Sequence, residues 1–169
     1  MKDHPHDPAT DLRLERVVDV PVELVWKAWT TPELIVQWFC PRPWGVSECV
    51  LDLQPGGRFF TLIRSPENDA YPNESCVLEV IEGRRLVWTD SLHAGFRPAP
   101  RALEHPAGVE INYTVVVSLL PEGKGTRYIS QILHANAAAR DEHVGQGFEA
   151  GWGAALDQLA ELLHTGRGA

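Results

Sequence analysis

The stretch GFEAGWGAALDQLAELL, residues 147–163, carries the fold assignment. Extended back to about Ala137, it places Val144, Phe148, Trp152, Leu156, Leu159 and Leu163 at steps of four and three, one apolar stripe along a long helix. The first half of that helix also holds Gly145, Gly147, Gly151 and Gly153, each roughly 1 kcal/mol less favourable than Ala in a helix interior. Either a backbone or a ligand approaches that face closely, or the helix is kinked there. A stripe of this kind needs a partner surface, and the rest of the chain supplies strands.

Upstream, the hydrophobic period is two. Candidate strands run over 46–53, 58–64, 75–82, 86–90, 109–120 and 126–134. Turn signals separate them: Pro55-Gly56-Gly57, Pro66 to Asp69, Glu82-Gly83 and Pro121-Glu122-Gly123. Such short turns favour antiparallel neighbours, because a parallel crossover needs about a dozen residues or more. Ala94 to Gly108, rich in Pro, Ala and Gly, is long enough to be a lid or a pocket rim. Ahead of these, Leu12 to Val20 reads as a strand. Pro21 then opens a helix with Val22, Val25, Trp26 and Trp29 at helical spacing. Thr31-Pro32 breaks it, and Pro32 to Phe39 forms a second short helix ended by Pro41 and Pro43. The order is strand, two short helices, six strands and a long helix, an α+β class. Residues 1–11 read as a flexible tail and 12–165 as a single domain. A curved sheet gripping one helix leaves a gap between them, the natural place for a cavity.

Composition narrows the function classes. With 169 residues, 44% hydrophobic and 22% charged, the chain is an ordinary globular one. The net charge of −8, with 15 scattered basic residues, argues against nucleic-acid binding. No run approaches the roughly 18 apolar residues of a membrane span, and the start MKDHPHDPATD has no signal-peptide stretch, so a cytoplasmic location is expected. Cys40, Cys49 and Cys76 form no CxxC pair, which suits a reducing compartment, and Cys40 and Cys76 read as buried, inert thiols. Six tryptophans against three tyrosines are unusual, and they serve either as core filling or as the walls of a small-molecule site.

The segments VPVELVWKAWTTPELIVQWFCP, LDLQPGGRF, RRLVWTDSL, GTRYISQILHA and GFEAGWGAALDQLAELL resemble the SRPBCC (START-like, helix-grip) superfamily. Within it they are most similar to the branch named after the activator of the heat-shock protein 90 ATPase, whose bacterial members are often labelled polyketide cyclase-like. The likeness covers about residues 12–163. It implies a curved antiparallel sheet of about seven strands around a C-terminal helix, with a hydrophobic cavity that binds lipids, sterols, polyketides or other apolar molecules. Three positions depart from the usual pattern: Glu149 where FHEGW has His, Gln54 in place of Arg in DLRPGG, and Ser75 in place of Gly in PNEG.

Trp38, Trp88, Phe148 and Trp152 are the candidate cavity walls, with Phe59 and Tyr113 added if strand parity turns them inward. His134 ends the last strand, and either orients a polar ligand group or is a hydrogen-bonded structural histidine. Glu74, just before the fourth of these strands, pairs with His134 or Arg58, or caps a turn. His134, His143 and Glu149 lack the HxH or HExxH spacing of a metal site, so no metal and no cofactor is expected. Asp141 and Glu142 suit the first turn of a helix without any further role. The expected function is binding of a small apolar molecule. Alternatives are a cyclase, aromatase or dehydratase using His134 and Glu74 as acid and base, and a co-chaperone-like module acting on a protein partner. A homodimer through a sheet edge is compatible with any of these.

Overall fold

The computed structural model describes residues 4–100 and 111–166. Strand β1 (Asp11–Val18) leads into α1 (Val22–Thr30) and α2 (Pro32–Trp38). Then come β2 (Gly45–Leu51), β3 (Arg58–Arg64), β4 (Ala70–Ile81) and β5 (Arg85–Thr89). A small hairpin, β6 (Leu92–His93) and β7 (Arg97–Pro98), flanks a 3-10 turn at Ala94–Phe96. Strands β8 (Tyr113–Glu122) and β9 (Gly125–His134) precede α3 (Ala137–Gly145) and α4 (Phe148–His164). Seven strands make one antiparallel, curved sheet in the order β1-β9-β8-β5-β4-β3-β2. This is the α+β helix-grip arrangement expected from the sequence.

The core lies between the concave face of the sheet and the helices. Val25, Ile35, Leu86, Val115, Ile132 and Leu159 are fully buried there, each side chain contributing about 1.5–3 kcal/mol by leaving water. Gln158 ties α4 to the end of α2: its amide donates to the carbonyls of Trp38 (3.1 Å) and Cys40 (2.7 Å) and accepts from the Arg42 N–H (2.8 Å).

The PGG turn has a tight steric reason. Gly56 holds a φ of 83°, and a Cβ on Gly57 would lie 2.0 Å from the Asp52 carbonyl oxygen. Without side chains, both residues close on β4, with the Gly56 N–H donating to Val77 (2.8 Å) and the Val77 N–H to Gly57 (2.9 Å).

Four details differ from the sequence reading. The single long helix is two: the chain breaks at Gly147, which takes a left-handed φ of 87° between α3 and α4. The break shifts the helical phase, so Val144, expected in the stripe, is 48% exposed, while Phe148, Leu156, Leu159 and Leu163 stay buried. Strand β4 begins at Ala70 rather than Ser75, because DAYPNE, with its turn-like composition, pairs along β3. Pro72 is tolerated since β5 joins β4 only from Cys76 onward, leaving an edge there. Before β1, residues read as a loose tail contain a hydrogen-bonded turn in which Asp7 accepts from the backbone of Thr10 and Asp11. Finally, the connection proposed as a lid starts as an anchored segment, its Gly95 N–H donating to Gly56 at 2.8 Å. Residues 101–110 of that connection, and the beginning of the expected 109–120 strand, lie outside the described residues.

Candidate functional site

Between α4 and the sheet lies a cavity of about 280 Å³. Both layers of the fold contribute aromatic rings: Trp29 from α1, Trp38 from α2, Phe59 from β3, Trp88 from β5, Tyr113 from β8, Tyr128 from β9, and Phe148 and Trp152 from α4. Strand alternation explains the β3 contribution. Phe59, Thr61 and Ile63 face the cavity, while Arg58 and Phe60 face the other side, where the guanidinium lies 4.5 Å from the Phe60 ring.

The rings form a continuous frame. Trp29 meets Trp38 edge-on at 4.8 Å, Phe59 meets Trp88 at 5.2 Å, and Trp88 meets Tyr113 at 6.1 Å. Trp38 is fixed by donating its indole N–H to Ala28 O at 3.0 Å. Where Gly151 lines the cavity, a Cβ would meet nothing within 4 Å, so the glycine leaves open space at the wall. This accounts for one of the helix glycines that carry a propensity penalty. Gly153 has a different reason, since a Cβ there would press on the Arg16 guanidinium at 2.6 Å.

Polar groups are few. Thr61, Asn73 and Ser75 line the cavity from β3 and β4, Asp90 from just past the end of β5, His143 from α3 and Gln146 from just beyond it. Burial pushes the Tyr113 phenol far above its ordinary value, with nearby Asp90 adding to the effect, so it stays protonated. Cys40 also touches the cavity, and burial pushes its thiol up to about 11, away from the thiolate needed for reactivity.

The titratable residues singled out in the sequence are arranged differently from the pairing considered there. Glu74 lies on the opposite face of the sheet from the cavity. Its carboxylate takes the Arg58 Nε–H at 3.0 and 3.1 Å, and Arg58 holds its pKa below the usual value. Glu74 and His134 are therefore not brought together. His134 is buried at the end of β9, with Nδ1 3.0 Å from Thr10 O and Nε2 2.9 Å from His143 Nδ1. It is His143 that reaches the cavity. Burial, helped by His134 beside it, lowers the His143 pKa to about 4, and burial also lowers that of His134. Glu149 is exposed and takes no part. Among the described residues, no three His, Cys, Asp or Glu side chains converge as a metal site would require.

A family model for Activator of Hsp90 ATPase homolog 1-like proteins matches residues 19–164. The chain belongs to this family. A structure from Nitrosomonas europaea is 41% identical, covers 97% of this chain and all of its own (100%), and superposes with a TM-score of 0.88. A Rhodobacter sphaeroides protein (24% identity, 95% and 97% coverage, TM-score 0.77) shares the fold. So does an AHSA1-like protein from Aeromonas hydrophila (18%, 94% and 95%, TM-score 0.68). No curated protein matches the chain. Among the described residues, no helix is long and apolar enough to cross a membrane.

Within this member of the Activator of Hsp90 ATPase homolog 1-like family, His143 is the residue that sequence reasoning set aside. Two features of α3 in the folded protein place its ring. Asn136 caps α3 by accepting the Ala139 N–H at 2.9 Å, which fixes the helix start. Ala139 and His143, four residues apart, are then both buried on one face of that helix.

Proposed function

We propose that the protein binds a small aromatic molecule in the cavity between the sheet and α4. The observation that carries this reading is the cavity itself, about 280 Å³ framed by aromatic rings from seven different elements. A buried apolar cavity of ~150 Å³ takes up benzene, so this space suits a compact molecule of two or three fused rings. An extended acyl chain or a sterol would need more room. A mostly apolar wall with a few placed polar groups is the usual make-up of a small-molecule site.

The cyclase-type alternative built on Glu74 and His134 has no geometric support, because the two sit on different faces. The description of the family names a role toward a protein partner, and that role comes to this chain only as a second hypothesis.

A thermal-shift screen against bicyclic and tricyclic aromatics tests the reading, run with the wild type and with Gly151→Leu. A ligand at a hundred times its Kd stabilises by about 2.7 kcal/mol, roughly 5–10 °C for a domain of this size. The leucine side chain projects into the open space beside Gly151, so the variant folds but gives no shift. Equal shifts in both proteins would place binding elsewhere, and a flat wild-type screen would overturn the reading.

A further inference from the structure

The two buried histidines form a directed chain of hydrogen bonds. Thr10 O has no proton to give, so His134 Nδ1 must carry one and donate it across 3.0 Å. A neutral His134 then has a bare Nε2, which accepts. The partner 2.9 Å away is His143 Nδ1, which must therefore be the protonated nitrogen of that ring. His143 Nε2 is left as a lone pair. It has no hydrogen-bond partner among the described residues, and it is not among the buried nitrogens sealed off from any neighbour. The ring that carries it lines the cavity, 5.0 Å from Tyr113, 5.4 Å from Phe148 and 6.4 Å from Trp152.

Resting on the cavity reading above, we propose that the ligand is an aromatic molecule bearing a ring hydroxyl, which donates its hydrogen bond to His143 Nε2. The neutral pair has no charge to attract a carboxylate, and a carbonyl or carboxylate oxygen would set lone pair against lone pair. A hydroxyl on a flat ring satisfies the acceptor, and the ring lies within the frame of Tyr113, Phe148 and Trp152. His134 is a positioning residue: it never meets the ligand but fixes the tautomer, itself held by the backbone of Thr10.

The same geometry makes His143 an orienting group rather than a proton abstractor. A general base works best with a pKa near the operating pH, whereas burial has made this ring a weak base with a pKa of about 4. The acceptor consequently stays unprotonated in mildly acidic solution. The titratable and charged groups around the pair are Asp11 on β1, Tyr113 on β8 and Arg140 on α3. Asp11 and Arg140 act on His134 in opposite directions.

The test is calorimetric titration with 2-naphthol and with 2-methylnaphthalene, which differ by a hydroxyl in place of a methyl of similar size. The expected result is about fivefold to tenfold tighter binding of 2-naphthol, the worth of one hydrogen bond to an otherwise unpartnered acceptor. The preference should persist at pH 5.5. In His143→Phe it should vanish while 2-methylnaphthalene still binds. Equal affinity of the wild type for both probes overturns this proposal and leaves the cavity reading standing, whereas no binding of either overturns both. A readout independent of any variant is the pair of histidine ring ¹⁵N resonances in the wild type. A protonated Nδ1 with bare Nε2 on His143 is required, and the opposite tautomer refutes the inference outright.

Discussion

Acidification from pH 8 to pH 5 should weaken the fold through His143. The ring is buried neutral, with burial lowering its pKa to about 4 from the ordinary histidine value of 6.5. A base whose folded pKa is depressed stabilises the protein fully above its unfolded pKa. That stability is lost as pH falls from about 6.5 toward 4, because the unfolded state takes up the proton first. At pH 5 the unfolded histidine is almost wholly protonated and the folded one hardly at all, a difference of roughly 2 kcal/mol from the linkage relation. Water reaching the ring through the cavity screens part of this, so ~1–2 kcal/mol is expected. His134 adds in the same direction, since burial lowers its pKa too. The window lies above the titration of Glu15, Glu74 and Glu122, whose arginine partners hold their pKa values below the ordinary carboxylate value. Urea unfolding followed by tryptophan fluorescence, in the wild type and in His143→Gln, gives the comparison. The wild type should lose ~1–2 kcal/mol more than the variant between pH 8 and pH 5, a midpoint change of about 0.5–1 M at an ordinary urea slope. Identical pH dependence in the two proteins would refute the argument that a neutral, buried His143 is built into the fold.

Other outcomes follow from contacts already described. Gly57→Ala should cost more than about 2 kcal/mol or prevent folding, because its Cβ would fall 2.0 Å from Asp52 O, a backbone atom that cannot move aside. Gly151→Ala should do the reverse in the unliganded protein and raise stability by up to ~1 kcal/mol, since its Cβ meets open space; both are read by thermal unfolding. Trp29→Ala should destabilise by about 3–5 kcal/mol, given a ring only 2% exposed that packs against Trp38. Gln158→Ala removes three hydrogen bonds joining α4 to the end of α2, with an expected loss of about 1–3 kcal/mol in urea unfolding.

The elements that were legible from residue order are those whose cues are local. Pro32 starts α2, the period of two marks β3 from Arg58 to Arg64 at its true bounds, and the PGG turn sits where its glycines say. The six residues named as candidate cavity walls, Trp38, Phe59, Trp88, Tyr113, Phe148 and Trp152, all border the cavity. Bulky rings at helical spacing mark the inward face of α2 and α4, whereas the parity that turns Phe59 and Tyr113 inward is decided by strand register in the folded sheet. His134, read as either an orienting group or a structural histidine, stands behind His143, which is the histidine that borders the cavity.

That arrangement depends on two things no local pattern contains. One is the break at Gly147, which turns α3 out of phase with α4, so that Val144 faces solvent and His143 faces inward. A glycine permits such a break but does not require it; packing against β9 and Tyr113 makes the choice. The other is the meeting of segments far apart in the chain. Thr10, His134 and His143 come within hydrogen-bond reach because β1 and β9 pair along the sheet edge and α3 folds back over their end. Periodicity and turn chemistry act over a few residues and fix which faces are apolar. The direction of a proton along a buried chain is set by which acceptor has no hydrogen to give, and three-dimensional proximity alone makes Thr10 that acceptor.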